Sequence, residues 1–329
     1  MVMFRTCTAV AGVLALAAGF GTPALAQSDY PSRTVTIVSP VATGGTYSAA
    51  ARIIATGLEQ RLRQSFVVEN RLGAGTVLGT NSVAKAAPDG YTLLVAGNPA
   101  LAISPIVNKS LPYDPAADFA PIYFVGRSPQ VLVVNADLPI RSVADIARYA
   151  KDNPGKLNYA STGAGTVLHL QGESLKSQLG LDITHVPYRG ATPAVSDVAA
   201  GHVSMMFITH SVALGAIQAG KLRVLGISTK DRDEALPDIA PLAELGLPGF
   251  DMAVWYMLLA PAKTPNAIVE RLHSEVGAIM SDAAVRRQLV TQGITPAGSL
   301  SPAQLTAYIK SEIEYWGSIG RKAGVAGTQ

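Results

Sequence analysis

The chain has 329 residues, 48% of them hydrophobic and 15% charged, with 31 glycines, one cysteine and a formal net charge of +3. That charge is too weak and too dispersed for a nucleic-acid footprint, and leaves only a mild bias towards small anions. A single cysteine excludes an internal disulfide framework, and the length suits one large or two ordinary domains.

Residues 1–26 read as a secretory leader. One positive charge, Arg5, precedes an apolar run that reaches Phe20, and Ala24-Leu25-Ala26 supplies an A-x-A cleavage pattern. The run is short for a membrane anchor. Cleavage after Ala26 removes Cys7, which lies too far upstream of the cut to carry a lipid, and leaves Gln27 at the N-terminus. Export without disulfides suits a bacterial periplasmic protein that builds its own core.

Strand-like and helical patterns then alternate. "TVTIV" (34–38), "FVVE" (66–69) and "YTLLVA" (91–96) read as buried strands. Ser48 is a candidate cap for the first helix, whose apolar face carries Ile54, Leu58 and Leu62. Pro88-Asp89-Gly90 is a turn, and the β-α-β-α-β order predicts an α/β sheet that is at least partly parallel. The pattern restarts after about residue 128. "VLVVN" (131–135), "KLNYAS", "ITHVPY", "VSMMFIT" and "LRVLGIS" are strands, and Ser142 with Asp145 is a capping signature. Further helices are expected near Thr166, at Thr192-Pro193, near Ser211, at Thr264-Pro265, at Ser281 and at Ser301-Pro302. A loop-rich stretch, 232–250, leads into "WYMLLAP", which reads as a return crossing between two α/β halves.

Two loops have the format strand, Gly-rich turn, helix N-terminus. The first is "VSPVATGGTYSAAARII" (38–54); the second lies in "NYASTGAGTVLHLQGESL". Such turns direct backbone N–H groups and the positive end of a helix dipole at one spot, so each is a candidate anion cradle. In the second, Ser161, Thr162 and Thr166 bring hydroxyls while Gly163 and Gly165 permit close approach. Equally, each is explained by an ordinary capped βα loop. "GAGTVL" occurs twice, at 73–78 and 163–168.

Enzyme motifs are weak. "GAGTVLG" (73–79) resembles a dinucleotide fingerprint but has Leu78 where the third Gly belongs. Neither a phosphate loop nor a nucleophile elbow occurs. Ser82 and Lys85 match S-x-x-K without its companion motifs. His169, His185, His202, His210 and His273 have no metal-ligand spacing, so no metal and no cofactor are expected. His169 could face a ligand, pack or cap. Arg189 could touch an anion or lie in solvent, and Trp255 and Tyr256 could line a cleft or fill a junction.

Segments along the whole mature chain match one family. "YPSRTVTIVSPVATGG", "VVENRLGAGTVLGTNSVAKAAPDGYTLLVA", "LPYDPAADFAPI", "PGKLNYASTGAGTVLHL", "HVPYRGATPAVSDVAAGHVSMMF", "AGKLRVLGIST", "LPGFDMAVWYMLLAP" and "EIEYWG" fall in family order and spacing over 28–325. The chain resembles the substrate-binding proteins of tripartite tricarboxylate transporters, the Bug proteins. The resemblance implies a periplasmic binding protein-like, Venus-flytrap α/β fold. It implies two domains joined by two crossing strands: 27–128 plus 254–329, and 129–253. It implies a monomeric solute receptor rather than an enzyme, which binds a small organic carboxylate and passes it to a two-component membrane permease. A sensor domain feeding a membrane signalling protein, or a Ser82/Lys85 hydrolase, is the alternative.

Carried over by position, the resemblance places Ala42, Thr43, Gly44, Gly45, Thr46 and Ser48 in one ligand-gripping loop. Ser161, Thr162, Gly163, Gly165, Thr166 and His169 form the other, with Asn98, Thr209 and Ser211 nearby. Backbone groups and ordered water are implied to hold the carboxylate. Two departures matter: Ser48 and Ile208 stand where many members carry Asp. Without those carboxylates a di- or aromatic carboxylate is expected in preference to an amino acid. Tyr47 is a candidate apolar wall.

Overall fold

The computed structural model describes residues 30–328. The leader, Cys7 and the cleavage site lie outside them. In chain order the elements are β1 (Val35–Ser39), α1 (Thr46–Leu62), β2 (Phe66–Asn70), α2 (Val77–Ala84), β3 (Thr92–Ala96), α3 (Ser104–Val107) and β4 (Phe119–Ser128). Next come β5 (Gln130–Asn135), α4 (Val143–Asp152), β6 (Asn158–Ser161), α5 (Val167–Leu179), β7 (Thr184–Pro187), α6 (Ala191–Ala199), β8 (Met205–Thr209), α7 (His210–Gln218) and β9 (Leu222–Ile227). The chain ends with β10 (Val254–Pro261), α8 (Asn266–Met280), α9 (Ala283–Thr291), β11 (Thr295–Pro296) and α10 (Pro302–Lys322).

The strands form two sheets, with orders β11-β4-β10-β3-β1-β2 and β7-β6-β8-β5-β9. β1 pairs in parallel with β2 and β3, whereas β10 runs antiparallel to both β3 and β4. In the second sheet β6 is parallel to β7 and β8, and β5 is antiparallel to β8 and β9. The chain therefore leaves the first sheet after β4 and returns to it as β10. This is the periplasmic binding protein-like α/β architecture.

Apolar runs sit where both faces of a sheet are covered. Val131–Val134 of β5 and Met205–Phe207 of β8 are buried throughout. In the first sheet Val38, Leu94, Phe124 and Met257 share a core with Val83 of α2 and Leu305 and Ile309 of α10. α1 packs on β1, β2 and β3, while α8 packs on β4 and on α1. The C-terminal helices thus complete the first sheet.

Several local expectations are corrected. β2, read as a buried run, is an edge strand with alternating burial, and β7 is the edge of the second sheet. Ser48 does not cap α1. Gly45 holds the cap position, and Ser48 is fully buried one turn in, bonded to Asn70. Gly190 and Asp282 take the cap positions expected of Thr192 and Ser281, so Pro193 enters at the third helical residue of α6, whereas α7 starts at His210, as expected near Ser211. Ser142, Thr166 and Ser301 do cap their helices, Ser301 in a full capping box with Gln304.

Candidate functional site

One cavity of about 530 Å³ opens between the C-terminal ends of β1 and β6, and the helices that come after both strands start at its walls. Thr46 and Tyr47 of α1 line one side, and Val167 and Leu168 of α5 line another. No side chain caps α1. In α5 the hydroxyl of Thr166 takes the N–H of His169, and the first intrahelical bond is Leu170 N–H to Thr166 C=O at 3.0 Å. The amides of Val167 and Leu168 therefore precede the helix ladder. Each helix thus brings its positive end and first-turn amides to the cavity.

The lining is otherwise neutral: among the described residues no Asp, Glu, Lys, Arg or His contributes to it. Its polar groups are hydroxyls and one amide. Tyr256 donates to Thr46 at 2.8 Å, and Thr209 donates to Gln130 at 3.1 Å. Ile103, Val107, Leu168 and Val254 supply apolar surface. Burial holds the Tyr47 hydroxyl well above its ordinary pKa and pushes Tyr256 up to about 12, so both stay neutral. The arrangement can accept an anion through amides and hydroxyls without an ion pair, beside an apolar body.

Five of the expected residues reach this cavity: Thr46, Thr162, Gly165, Thr166 and Thr209. Others build its loops from behind. Thr43 donates to Asn70 Oδ1 at 3.1 Å, and Asn70 Nδ2 donates to Val41 C=O at 2.7 Å and to Ser48 at 3.1 Å. Asn70, the last residue of β2, therefore ties the first loop together; no sequence signal pointed to it. Gly45 N–H closes on Ala42 C=O at 3.2 Å, and Gly44 lies in a separate outer depression beside Arg52 and Gln288. Asn98 is buried behind the cavity wall, bonded to Ala253 C=O, Trp255 N–H and the Tyr47 hydroxyl, where it joins the end of β3 to β10. Ser211 is exposed.

In the second loop the Ser161 hydroxyl takes the Gly163 N–H at 3.1 Å and lies 2.6 Å from His185 Nε2. Thr166 donates to Gly163 C=O at 2.7 Å, and Gly165 N–H donates to His169 Nδ1 at 3.1 Å. His169 is buried and stacks on His185, with ring centroids 4.0 Å apart. Burial lowers the pKa of both rings, that of His185 to about 4, with each further depressed by Lys176. His169 is thus a support for the loop, not part of the cavity lining.

Groups outside the expected set also line the cavity. Gly73, Gly75 and Thr76, the first copy of "GAGTVL", stand on its wall, as does Ile103 of a π-helical turn; Pro99 beside Asn98, and Tyr256, the residue read as lining a cleft or filling a junction, line it too. The repeated hexapeptide was the available signal. Trp255 instead fills the core and donates to Glu312 at 2.7 Å, and Arg189 is exposed. Ser82 donates to Gly79 C=O and receives Arg71 Nη1, while Lys85 is exposed at the helix end, so the S-x-x-K match gives no activated nucleophile.

The profile of the "tripartite tricarboxylate transporter family receptor" matches residues 50–325. Protein BugT of Bordetella pertussis is 35% identical over 317 residues, covering 96% of this chain and 97% of that protein. The structure of Rpa4515 from R. palustris, solved with adipate, is 35% identical with a TM-score of 0.79, covering 91% of this chain and 99% of that one. MatC (Rpa3494) from Rhodopseudomonas palustris, solved with bound malate, is 32% identical with a TM-score of 0.73, covering 88% and 99%. The family is one of solute-binding receptors and not of enzymes. With the fold, the paired helix N-termini and these likenesses in agreement, the chain belongs to the tripartite tricarboxylate transporter receptor family.

Proposed function

We propose that this protein is a periplasmic receptor for a small organic acid without an amino group, a di- or aromatic carboxylate, which it delivers to a two-component membrane permease of the tripartite type. The observation that carries the reading is the convergence of two helix N-termini on one cavity whose lining has no charged side chain. Helix ends and amides favour a carboxylate. An ammonium group would find no carboxylate to neutralise it there. Adipate and malate in the relatives' structures are non-amino dicarboxylates, which agrees with this ligand class. No helix among the described residues is long and apolar enough to cross a membrane, which agrees with a receptor working beside a separate permease.

We further read the chain as a leader, 1–26, and two bodies, 27–128 plus 254–329 and 129–253, that close on the ligand as a monomer. A thermal-shift screen tests the ligand class, with succinate, malate, adipate, terephthalate, aspartate and glutamate as probes. A ligand at 100 times its dissociation constant stabilises by about 2.7 kcal/mol. The diacids are expected to raise Tm and the two amino acids to do so less. A larger shift with aspartate or glutamate than with succinate would refute the selectivity.

A further inference from the structure

We propose that Thr76 is a specificity-determining residue of the cavity, its hydroxyl donating to a second acceptor on the bound acid besides the carboxylate held by the helix ends. This rests on the receptor reading above and names a residue that reading does not require.

The repeated hexapeptide provides an internal comparison. Residues 73–78 and 163–168 are the same sequence, each sits before a helix, and both copies line the same cavity. Their backbones differ. In the second copy Gly163 and Gly165 alone have positive φ, and Thr166 is extended at φ −83°, ψ 163°. Its hydroxyl is spent within the protein, on Gly163 C=O and as the cap of α5. In the first copy four successive residues are left-handed: Gly73 (138°), Ala74 (44°), Gly75 (62°) and Thr76 (93°). A β-branched residue is rare there, because its Cβ crowds the backbone. Thr76 also caps nothing, and its buried hydroxyl has no hydrogen-bond partner.

The same six residues thus have an unstrained arrangement with a satisfied threonine, and at 73–78 it is not used. Glycine at position 76 would remove the strain. Threonine at this position makes sense if its hydroxyl bonds something other than the protein's own groups. The position supports this. Thr76 borders the main cavity and a narrow crevice beside Val41, Tyr47 and Pro99. Of the other hydroxyls on the wall, Thr166, Thr209 and Tyr256 already donate within the protein. Thr46, Ser104 and Thr162 also bring hydroxyls to the wall, but among the described residues Thr76 is the lining hydroxyl that is buried without a partner, and a ligand acceptor reaching it would end the cost of leaving it unpaired.

The test is calorimetry on wild type, Thr76→Val and Thr76→Gly. The probes are aliphatic α,ω-diacids of four to eight carbons, benzene dicarboxylates, and the monoacid counterpart of each. Thr76→Val keeps the branch and the strain but deletes the donor. It is expected to weaken the best diacid by about 5- to 30-fold and its monoacid by less than about twofold. Thr76→Gly is expected to lose the same diacid affinity while raising the Tm of the unliganded protein, a pairing that a merely structural threonine would not give. Diacid binding by Thr76→Val within twofold of wild type overturns the inference. So does an equal loss for diacid and monoacid, or wild-type binding of the monoacid as tight as that of the diacid. Should wild type bind no acid of the panel, the receptor reading itself fails.

Discussion

A hydroxyl that caps its own helix is not free to grip a ligand, and Thr166 is in that position. Its oxygen takes the His169 N–H and its proton goes to Gly163 C=O. Thr166→Val is therefore expected to act mainly on stability, costing about 1 kcal/mol as a lost N-cap, measured by denaturant unfolding. Beneath it, His185 packs against His169 and Tyr159 and lies beside Ser161. Burial first, then the neighbouring His169 and Lys176, lower its pKa to about 4, against about 6.5 in an unfolded chain. Between those values the unfolded chain binds the extra proton. Stability is complete above about pH 6.5 and is lost progressively as pH falls towards 4. His185→Gln is expected to flatten the Tm-against-pH curve over that window, and an unchanged slope would assign the acid sensitivity to other groups. At this scale the sequence was legible in kind but not in partnership. It displayed the hydroxyls and glycines of both loops. It left open whether Thr166 would cap or grip a ligand, and it did not say that Ser48 would turn inward or that Asn70, distant in sequence, would hold the first loop. Those are outcomes of tertiary contacts that no local pattern encodes.

Elements were more legible, because hydrophobic periodicity is a property of each segment by itself. β1, β3, β5 and β8 stand where continuous apolar runs predicted them. The edge strand β2 misled in burial, since sheet order decides exposure and a five-residue run does not reveal it. β4 went unread: "FAPIYFVGRS" contains a proline and a glycine, yet both sit at or near register shifts of its pairing with β10. Helix starts slipped by up to three residues where an adjacent Ser or Thr competed with Gly45, Gly190 or Asp282. Among the described glycines, Gly97, just after β3, leaves the least room for a side chain. A Cβ there would lie 1.8 Å from the Trp255 carbonyl oxygen of β10 and 2.6 Å from the Tyr47 hydroxyl. Backbone cannot yield as a side-chain tip can. Gly97→Ala is therefore expected to cost on the order of 3 kcal/mol or more in urea unfolding. It should also displace Tyr47 from the cavity wall. A cost below about 1 kcal/mol would mean that the β3–β10 junction is looser than its geometry indicates.

For the whole molecule, the decisive feature is that two helices rooted in different sheets present their N-termini to one cavity. Alternation along the chain was enough to predict two α/β halves. That β4 and β10 pair side by side, with Arg127 of β4 bonded to Asp251 just ahead of β10 at 2.7 Å, was visible only in three dimensions. A ligand held from both sheets selects a closed arrangement by the difference in its contacts there, whereas one held from a single sheet gains nothing from closing. The α5 side can be tested without removing any side-chain donor. Val167 is the first residue of α5, where proline is well tolerated, and Thr166 before it already has the extended backbone that a proline at 167 requires. Val167→Pro should therefore fold, with a lower Tm because buried Val167 loses packing, while deleting one amide from the cavity wall. Affinity for the best diacid of the panel is expected to fall by about 10-fold, near 1.4 kcal/mol. X-ray scattering of wild type should show compaction with that diacid. Val167→Pro should compact less at equal ligand and fully at higher ligand. If it binds and compacts as wild type does, the α5 N-terminus takes no part in holding the anion, and capture belongs to α1 and its loop alone.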